Sequence, residues 1–396
     1  MSYPVIRYIA DILPSIADRE EFVIIKRNGY SVVDYNLTLP DTFPDYDKAP
    51  DPATLLHWRI RRECRGLKFS DAGDLIGRPY HKFFNVGERP STLRDAIDWS
   101  RQFVILEKLD GSMIHPVLLG GEVRYMSMRG LTDVAALAER FAQAHGYDEF
   151  CRTLLEAGYT PIFEWCSRAC RIVVDYPDDR LVLTGIRRMA DGAYHSHAAM
   201  TALATGGGIE VVRAWTGDFA GIVEFLDAAR DEQVGEGWII RFDDGDCLKV
   251  KNLRYLRIHR AKEALAVEKN VWSLILNGNL DDVRAELPES DRDRLDRFSK
   301  ALWAGLTATA TSLAVEVGDI RDGILADTPD PNAARKVFAV DHARKFKGPF
   351  LTLAYRIYNG HDAFDEILYY VLKRLHTATQ LEEIRVLAGG VRWNEF

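Results

Sequence analysis

The chain has 396 residues, 47% hydrophobic, 28% charged and 11% aromatic, which is enough ordinary globular sequence for two or three domains with their own cores. A net charge of -8 excludes a protein coated in base for nonspecific nucleic-acid binding, while leaving room for a local basic groove. No apolar stretch approaches membrane-spanning length and Met1-Ser2-Tyr3-Pro4 does not open a signal peptide, so a soluble, cytoplasmic protein is expected, with no membrane contact.

Short alternating runs recur in the first part of the chain. Phe22-Val23-Ile24-Ile25, Tyr30-Ser31-Val32-Val33, Val123-Arg124-Tyr125-Met126, Leu181-Val182-Leu183-Thr184 and Trp238-Ile239-Ile240-Arg241-Phe242 predict strands. Helical patterns lie between them, at Thr132 to Ala144 and Phe219 to Ala229, and the proline- and aspartate-rich segment Leu39 to Pro52 predicts a loop. Strands parted by glycine turns, with helices at irregular intervals, predict an α+β fold with antiparallel sheets flanked by helices. From about Arg257 helix-period stretches dominate: Ala261 to Leu276, Arg292 to Val317, Ala333 to Phe346 and Ala363 to Gln380. Two domains are therefore predicted, residues 1–256 and an all-α domain over residues 257–396. The five cysteines are scattered and odd in number, as expected of reduced thiols, and the Cys166/Cys170 pair has no second pair or histidine to complete a zinc site.

The stretch Glu107-Lys108-Leu109-Asp110-Gly111-Ser112 sets a lysine between two carboxylates, after the apolar run Phe103-Val104-Ile105-Leu106 and before a glycine turn. A lysine so placed, once deprotonated, can attack phosphorus. The other elements that such chemistry needs stand around it in order. Glu63-Cys64-Arg65-Gly66 and the cluster Arg78-Pro79-Tyr80-His81-Lys82-Phe83-Phe84-Asn85 come before it. Ser127-Met128-Arg129-Gly130, Phe163-Glu164-Trp165, Gly235-Glu236-Gly237-Trp238 and Leu248-Lys249-Val250-Lys251 come after. A triphosphate needs cations to neutralise it and to align the leaving pyrophosphate, a task for Arg65, Lys82, Arg129, Lys249 and Lys251. The period-two spacing of Lys249 and Lys251 puts both on one face of a strand. Glu236 and Asp110 are candidates to hold a divalent metal, and Glu164 to accept the ribose hydroxyls. Neighbouring cations and metal lower the cost of taking the proton from Lys108.

With these motifs the chain resembles the covalent nucleotidyltransferases, and more narrowly the phage RNA ligase 1 family of tRNA-repair enzymes. The narrower marks are Glu63-Cys64-Arg65-Gly66, Arg78-Pro79 with Lys82-Phe83-Phe84-Asn85, and Phe163-Glu164 followed by Arg171-Ile172-Val173-Val174. Tyr255 follows the paired lysines at the family's spacing, and Gly278-Asn279-Leu280-Asp281-Asp282 and Tyr358-Asn359-Gly360-His361-Asp362 resemble segments of its helical C-terminal domain. The resemblance implies that Lys108 is the AMP-accepting nucleophile. It implies a nucleotide site of Tyr35, Arg65, Lys82, Glu107, Asp110, Gly111, Arg129, Glu164, Lys249, Lys251 and Tyr255, with Glu236 and Asp281 on metal. Arginine stands at 129 where the family more often has lysine, and the segment between Tyr35 and Arg65 is longer than in the family.

The implied activity is an ATP-dependent RNA ligase using Mg2+ or Mn2+, in a phage or bacterial host. Lys108 takes AMP from ATP, passes it to a 5′-phosphate RNA end, and a 3′-hydroxyl then joins that end and releases AMP. Residues 257–396 would select the RNA, a broken tRNA anticodon loop being the family's substrate, and no protein partner is implied. Two rivals remain: a ligase for nicked duplexes or DNA ends, and a non-catalytic RNA-binding protein on a decayed nucleotidyltransferase fold. Helices rather than a β-rich module after Lys251 count against the first, and the presence of Lys108, Lys249 and Lys251 counts against the second.

Overall fold

The computed structural model describes residues 3–215, 221–284 and 286–396, with Asp281 and Asp282 described by backbone alone. Chain contacts divide it into two compact units, residues 1–256 and 257–396.

Among the described residues the first unit is built on twelve strands. They are β1 (Phe22–Arg27), β2 (Tyr30–Tyr35), β3 (Leu67–Ser70), β4 (Leu75–Gly77), β5 (Phe84–Asn85), β6 (Phe103–Lys108), β7 (Ser112–Leu119), β8 (Glu122–Met126), β9 (Tyr159–Cys166), β10 (Arg180–Arg188), β11 (Gly237–Phe242) and β12 (Cys247–Lys251). They form three four-stranded sheets, ordered β1-β2-β3-β4, β10-β9-β7-β8 and β5-β12-β11-β6. Every pairing is antiparallel except β12 with β5, so the fold is α+β with antiparallel sheets, as predicted. All five predicted strands are present, each one to five residues longer than its apolar run. β7 was not predicted: Pro116 and His115 interrupt its apolar pattern, yet both are buried between neighbouring strands.

Helices cover the sheets. Asp133–Ala144 is capped by the Thr132 side chain, which accepts from Ala135 N, and Tyr147–Glu156 follows it. Their apolar faces pack with β7, β9 and β10 into a core that includes Ile114, Tyr125, Phe163, Trp165 and Leu183, all 2% exposed or less. The helix expected from Phe219 is present as Ile222–Asp231; residues 219 and 220 lie outside the described residues. The predicted loop holds a single short 3-10 turn, Tyr46–Lys48, before Asp51 caps the helix Pro52–Glu63.

The second unit is all helical among the described residues. Its longest helix, Glu289–Asp327, starts three residues before the predicted stretch, runs ten beyond it, and buries Leu295, Phe298, Leu302, Leu306, Leu313 and Val317 along one stripe. Ala261 to Leu276 is two helices, not one, because Val267 takes an extended conformation between Leu253–Leu265 and Glu268–Leu276. Ala363 to Gln380 also divides, since the Thr377 hydroxyl caps a new helix at Ala378. Ala333 to Phe346 begins as the helix Pro331–Val337 and continues as a π-helical turn, Phe338–His342, and a 3-10 turn, Ala343–Lys345.

Candidate active site

The central sheet places the nucleophile candidate by register. Lys108, the last residue of β6, stands opposite Gly237 of β11, and Gly237 stands opposite Lys251 of β12. The preceding residue, Glu236, sits between the two lysines. Lys108 Nζ donates to Glu236 Oε2 at 2.6 Å and Lys251 Nζ lies 2.8 Å from Oε1, so both oxygens of a carboxylate only 3% exposed are engaged. Gly237 adopts φ +135°, and a Cβ there would stand 2.0 Å from the Val250 carbonyl oxygen. Only glycine lets β12 approach closely enough for this arrangement.

Lys108 opens onto a cavity of about 400 Å³, a size suited to a nucleotide. Arg65, Glu107, Gly111, Arg129, Glu164 and Lys249 line it with Lys108. Arg65 follows the helix Pro52–Glu63, with Nη1 3.7 Å from Met113 Sδ. Arg129 projects from a tight turn closed by Ser127 and Gly130; its Nη2 donates to the Tyr35 carbonyl, and its Nε pairs with Asp34 at 3.1 Å. Glu107 accepts from Arg213 at 2.9 Å. Glu164 pairs in register with Met113, and burial raises its carboxyl to about 7, against the opposing pull of Lys108. Burial drives Lys249 well below the usual lysine range, and Arg65, Lys108, Lys82 and Lys251 push it the same way. The cavity therefore collects cations faster than anions, and an incoming phosphate group would relieve their mutual repulsion.

Four predicted site residues stand behind or beside this wall. Lys82 Nζ donates to the Tyr35 hydroxyl at 3.2 Å and lies over the Tyr35, Phe43 and Phe84 rings. Asp110 is 3% exposed and points away from the cavity. One of its oxygens accepts the Val173 and Val174 amides at 2.7 Å each, and the other accepts the Tyr255 hydroxyl at 2.8 Å. Asp110 and Tyr255 thus brace the turn after Lys108. Gly111 completes that turn: a Cβ there would meet the Trp165 carbonyl oxygen at 2.3 Å. The Asp281 side chain lies outside the described residues.

Three residues that sequence reasoning did not single out support the site. Arg187 on β10 and Arg78 both pair with Glu63, at 2.7 and 3.0 Å, in a fully buried triad. The arginines hold the Glu63 carboxyl at about 2 despite its burial. Lys68 on β3 is wholly buried and donates to the carbonyls of Gly66 and Met128, tying two cavity-lining segments together. Arg241 lines the cavity floor with Tyr80, Thr184 and Cys247. Its signal was present in the sequence, since Arg241 shares the period-two face of Gly237 and Ile239.

A family model described as RNA ligase matches residues 63–259. A protein of Thermovibrio ammonificans, provisionally named an RNA ligase, is 26% identical over 94% of this chain and 97% of its own length. RNA ligase 1 of bacteriophage TS2126 is 28% identical over 34% of this chain and 36% of its own. An archaeal ATP-dependent RNA ligase structure aligns with a TM-score of 0.45 at 16% identity, over 66% of this chain and 64%, just under two thirds, of that one. The chain is thus similar to the phage-type RNA ligases.

Proposed function

We propose that this chain is an ATP-dependent RNA ligase joining 5′-phosphate and 3′-hydroxyl RNA ends through AMP carried on Lys108. The observation that carries the reading is the Lys108–Glu236–Lys251 group at the mouth of a nucleotide-sized cavity walled by Arg65 and Lys249. The lysine nitrogen must be uncharged to attack, and the Glu236 carboxylate at 2.6 Å is the group in reach of its proton. In the first step Lys108 Nζ bonds to the α-phosphorus of ATP and the bond to the bridging oxygen breaks, releasing pyrophosphate. Arg65, Lys249 and Lys251 counter the charge that shifts onto the phosphates. Glu164 accepts the ribose hydroxyls. Arg129, Lys82, Tyr35 and Glu107 complete the nucleotide's surroundings, and Asp110 and Tyr255 hold the lysine turn in place. The AMP then moves to a 5′-phosphate end, and attack by a 3′-hydroxyl seals the strand and frees AMP.

Among the described residues no three carboxylate, histidine or cysteine side chains gather to hold a metal by themselves. That donor set fits Mg2+ or Mn2+ arriving with the triphosphate, which keeps several waters and takes one or two protein carboxylates. Glu236 would be one once its lysines turn to phosphate, and Asp281 is the second candidate. Such an ion would offset phosphate charge.

Residues 257–396 are assigned to RNA selection, a broken tRNA loop being the expected substrate. Support comes from Arg335, Lys336, Arg344, Lys345 and Lys347, five exposed cations around the π-helical turn against one carboxylate, Asp341. The expected setting is the cytoplasm, and the five cysteines are all unpaired. No helix among the described residues is long and apolar enough to cross a membrane.

The test is incubation with α-labelled ATP and Mg2+, then with 5′-phosphorylated single-stranded RNA. The expected result is a protein label that survives base and is lost in acid, followed by adenylylated ends and joined strands. Label that persists in Lys108→Ala would overturn the assignment of the nucleophile. Label without any RNA product would confine the activity to AMP transfer.

A further inference from the structure

The far end of the cavity holds a charged group that phosphate chemistry does not use. Arg241 is 4% exposed, and among the described residues its Nη2 has no hydrogen-bond partner. Its Nη1 reaches only the Thr184 carbonyl, at a long 3.4 Å, and that oxygen already accepts the Tyr80 hydroxyl at 2.6 Å. A buried guanidinium short of acceptors is unfavourable unless a ligand supplies one.

Sheet register says which part of a ligand lies there. Three rows cross β6, β11 and β12 on the cavity face: Lys108–Gly237–Lys251, Leu106–Ile239–Lys249 and Val104–Arg241–Cys247. A strand advances about 3.3 Å per residue, so the Arg241 row, four residues on, lies about 13 Å from the Lys108 row. That span fits a nucleoside monophosphate from its phosphorus to the outer edge of its base, plus one hydrogen bond. The middle row offers the Leu106 and Ile239 side chains, apolar surfaces for a flat base.

We propose that Arg241 is a base-contacting residue, its unpartnered Nη2–H donating to a ring nitrogen, N1 or N7, of the adenine whose phosphate Lys108 attacks. The inference rests on the ligase reading above. A donor-only group discriminates by acceptor: a base with carbon in place of that nitrogen leaves the guanidinium unpaired.

The experiment measures kcat/KM of lysyl-AMP formation with ATP, 1-deaza-ATP and 7-deaza-ATP. The native chain and Arg241→Met, a change of similar length without charge, are compared in full-length form. The native protein should lose about tenfold or more on one of the two analogues. Arg241→Met should use ATP with a raised KM and little change in kcat, and should no longer distinguish ATP from that analogue. Equal use of all three nucleotides by the native protein would overturn the proposal. So would an undiminished analogue penalty in Arg241→Met, since a purely structural arginine leaves the two effects independent. If Arg241→Met does not fold, Arg241→Lys is read in the same cycle. It keeps a donor but lacks the fork, and should show a reduced analogue penalty, an unchanged one counting against the proposal. No label from any nucleotide in the native protein would instead defeat the ligase reading.

Discussion

Glu63 shows how much one buried carboxylate can carry. Its two oxygens face Arg78 and Arg187, and Arg187 also holds the carbonyls of Gly192 and Pro79. Because the folded pKa is about 2 against an ordinary 4.5, the triad adds stability that is complete above pH 4.5 and fades as the pH falls toward 2. Glu63→Gln leaves two guanidiniums buried with no counter-charge, and should cost about 3–5 kcal/mol in urea unfolding at neutral pH. A loss below about 1 kcal/mol would mean that water reaches the triad. Glu164 has the opposite sign. Its carboxyl titrates at about 7, so it is half protonated near neutral pH and becomes a full acceptor above it. Adenosine, which does not itself titrate near neutrality, should bind more tightly as pH rises through about 7. Glu164→Gln and 2′-deoxyadenosine should each flatten that rise, and a slope unchanged in both would remove Glu164 from the ribose. That Lys108 and Glu164 line one cavity agrees with the order of the motifs that carry them. The triad was not legible in the sequence, since Arg187 lies 124 residues beyond Glu63 and nothing local marks it as a partner. Asp110 was misleading for the same reason: in the sequence it stands two residues from the nucleophile, but in space its acceptors face Val173, Val174 and Tyr255.

At the scale of elements, period-two alternation was readable and close approach was not. Lys249 and Lys251 share a face of β12 as expected, and register then separates their surroundings: Lys251 meets Glu236, while Lys249 faces the cavity and the Phe83 ring at 4.7 Å. The turn into β11 depends on Gly237. Gly237→Ala would press a methyl group onto the Val250 carbonyl in a backbone region that L residues avoid. The β11–β12 pairing should loosen, lowering the melting temperature and self-adenylylation together. A melting temperature within about 2 °C of the native value, with normal labelling, would show that β12 can retreat without loss. Helix ends in the second unit were read less well than helix existence. A single extended residue, Val267, and a single hydroxyl cap, Thr377, divide what the periodicity leaves continuous.

Across the whole molecule, a net charge of -8 coexists with a cationic cavity and a cationic turn. These can be separated experimentally. Arg344, Lys345 and Lys347 belong to the second unit, far along the chain from the residues that would handle AMP. Changing all three to Gln should leave the rate of lysyl-AMP formation unaltered. It should weaken joining of RNA ends, with a shallower dependence of RNA binding on salt by about two to three in log–log slope. An unchanged salt slope would move the RNA contact elsewhere. The antiparallel sheets and the run of helices toward the end of the chain could be anticipated from composition and period, because each is written in many residues at once. The cavity floor could not, because it is assembled from β10, β11 and β12 and the Tyr80 segment, whose order in the chain says nothing of their adjacency.

The carboxylate held between Lys108 and Lys251 has one more consequence. With both its oxygens engaged, the Glu236 carboxylate holds the place of a phosphate and offsets part of the charge of the two lysines. The Lys108 side chain is only 18% exposed and its nitrogen is tethered by a hydrogen bond, which should slow its reaction with stray electrophiles such as cyanate or acyl phosphates. On the reading proposed above, the lysine that takes AMP would stay sheathed until a guest anion of the right shape draws both lysines off their placeholder.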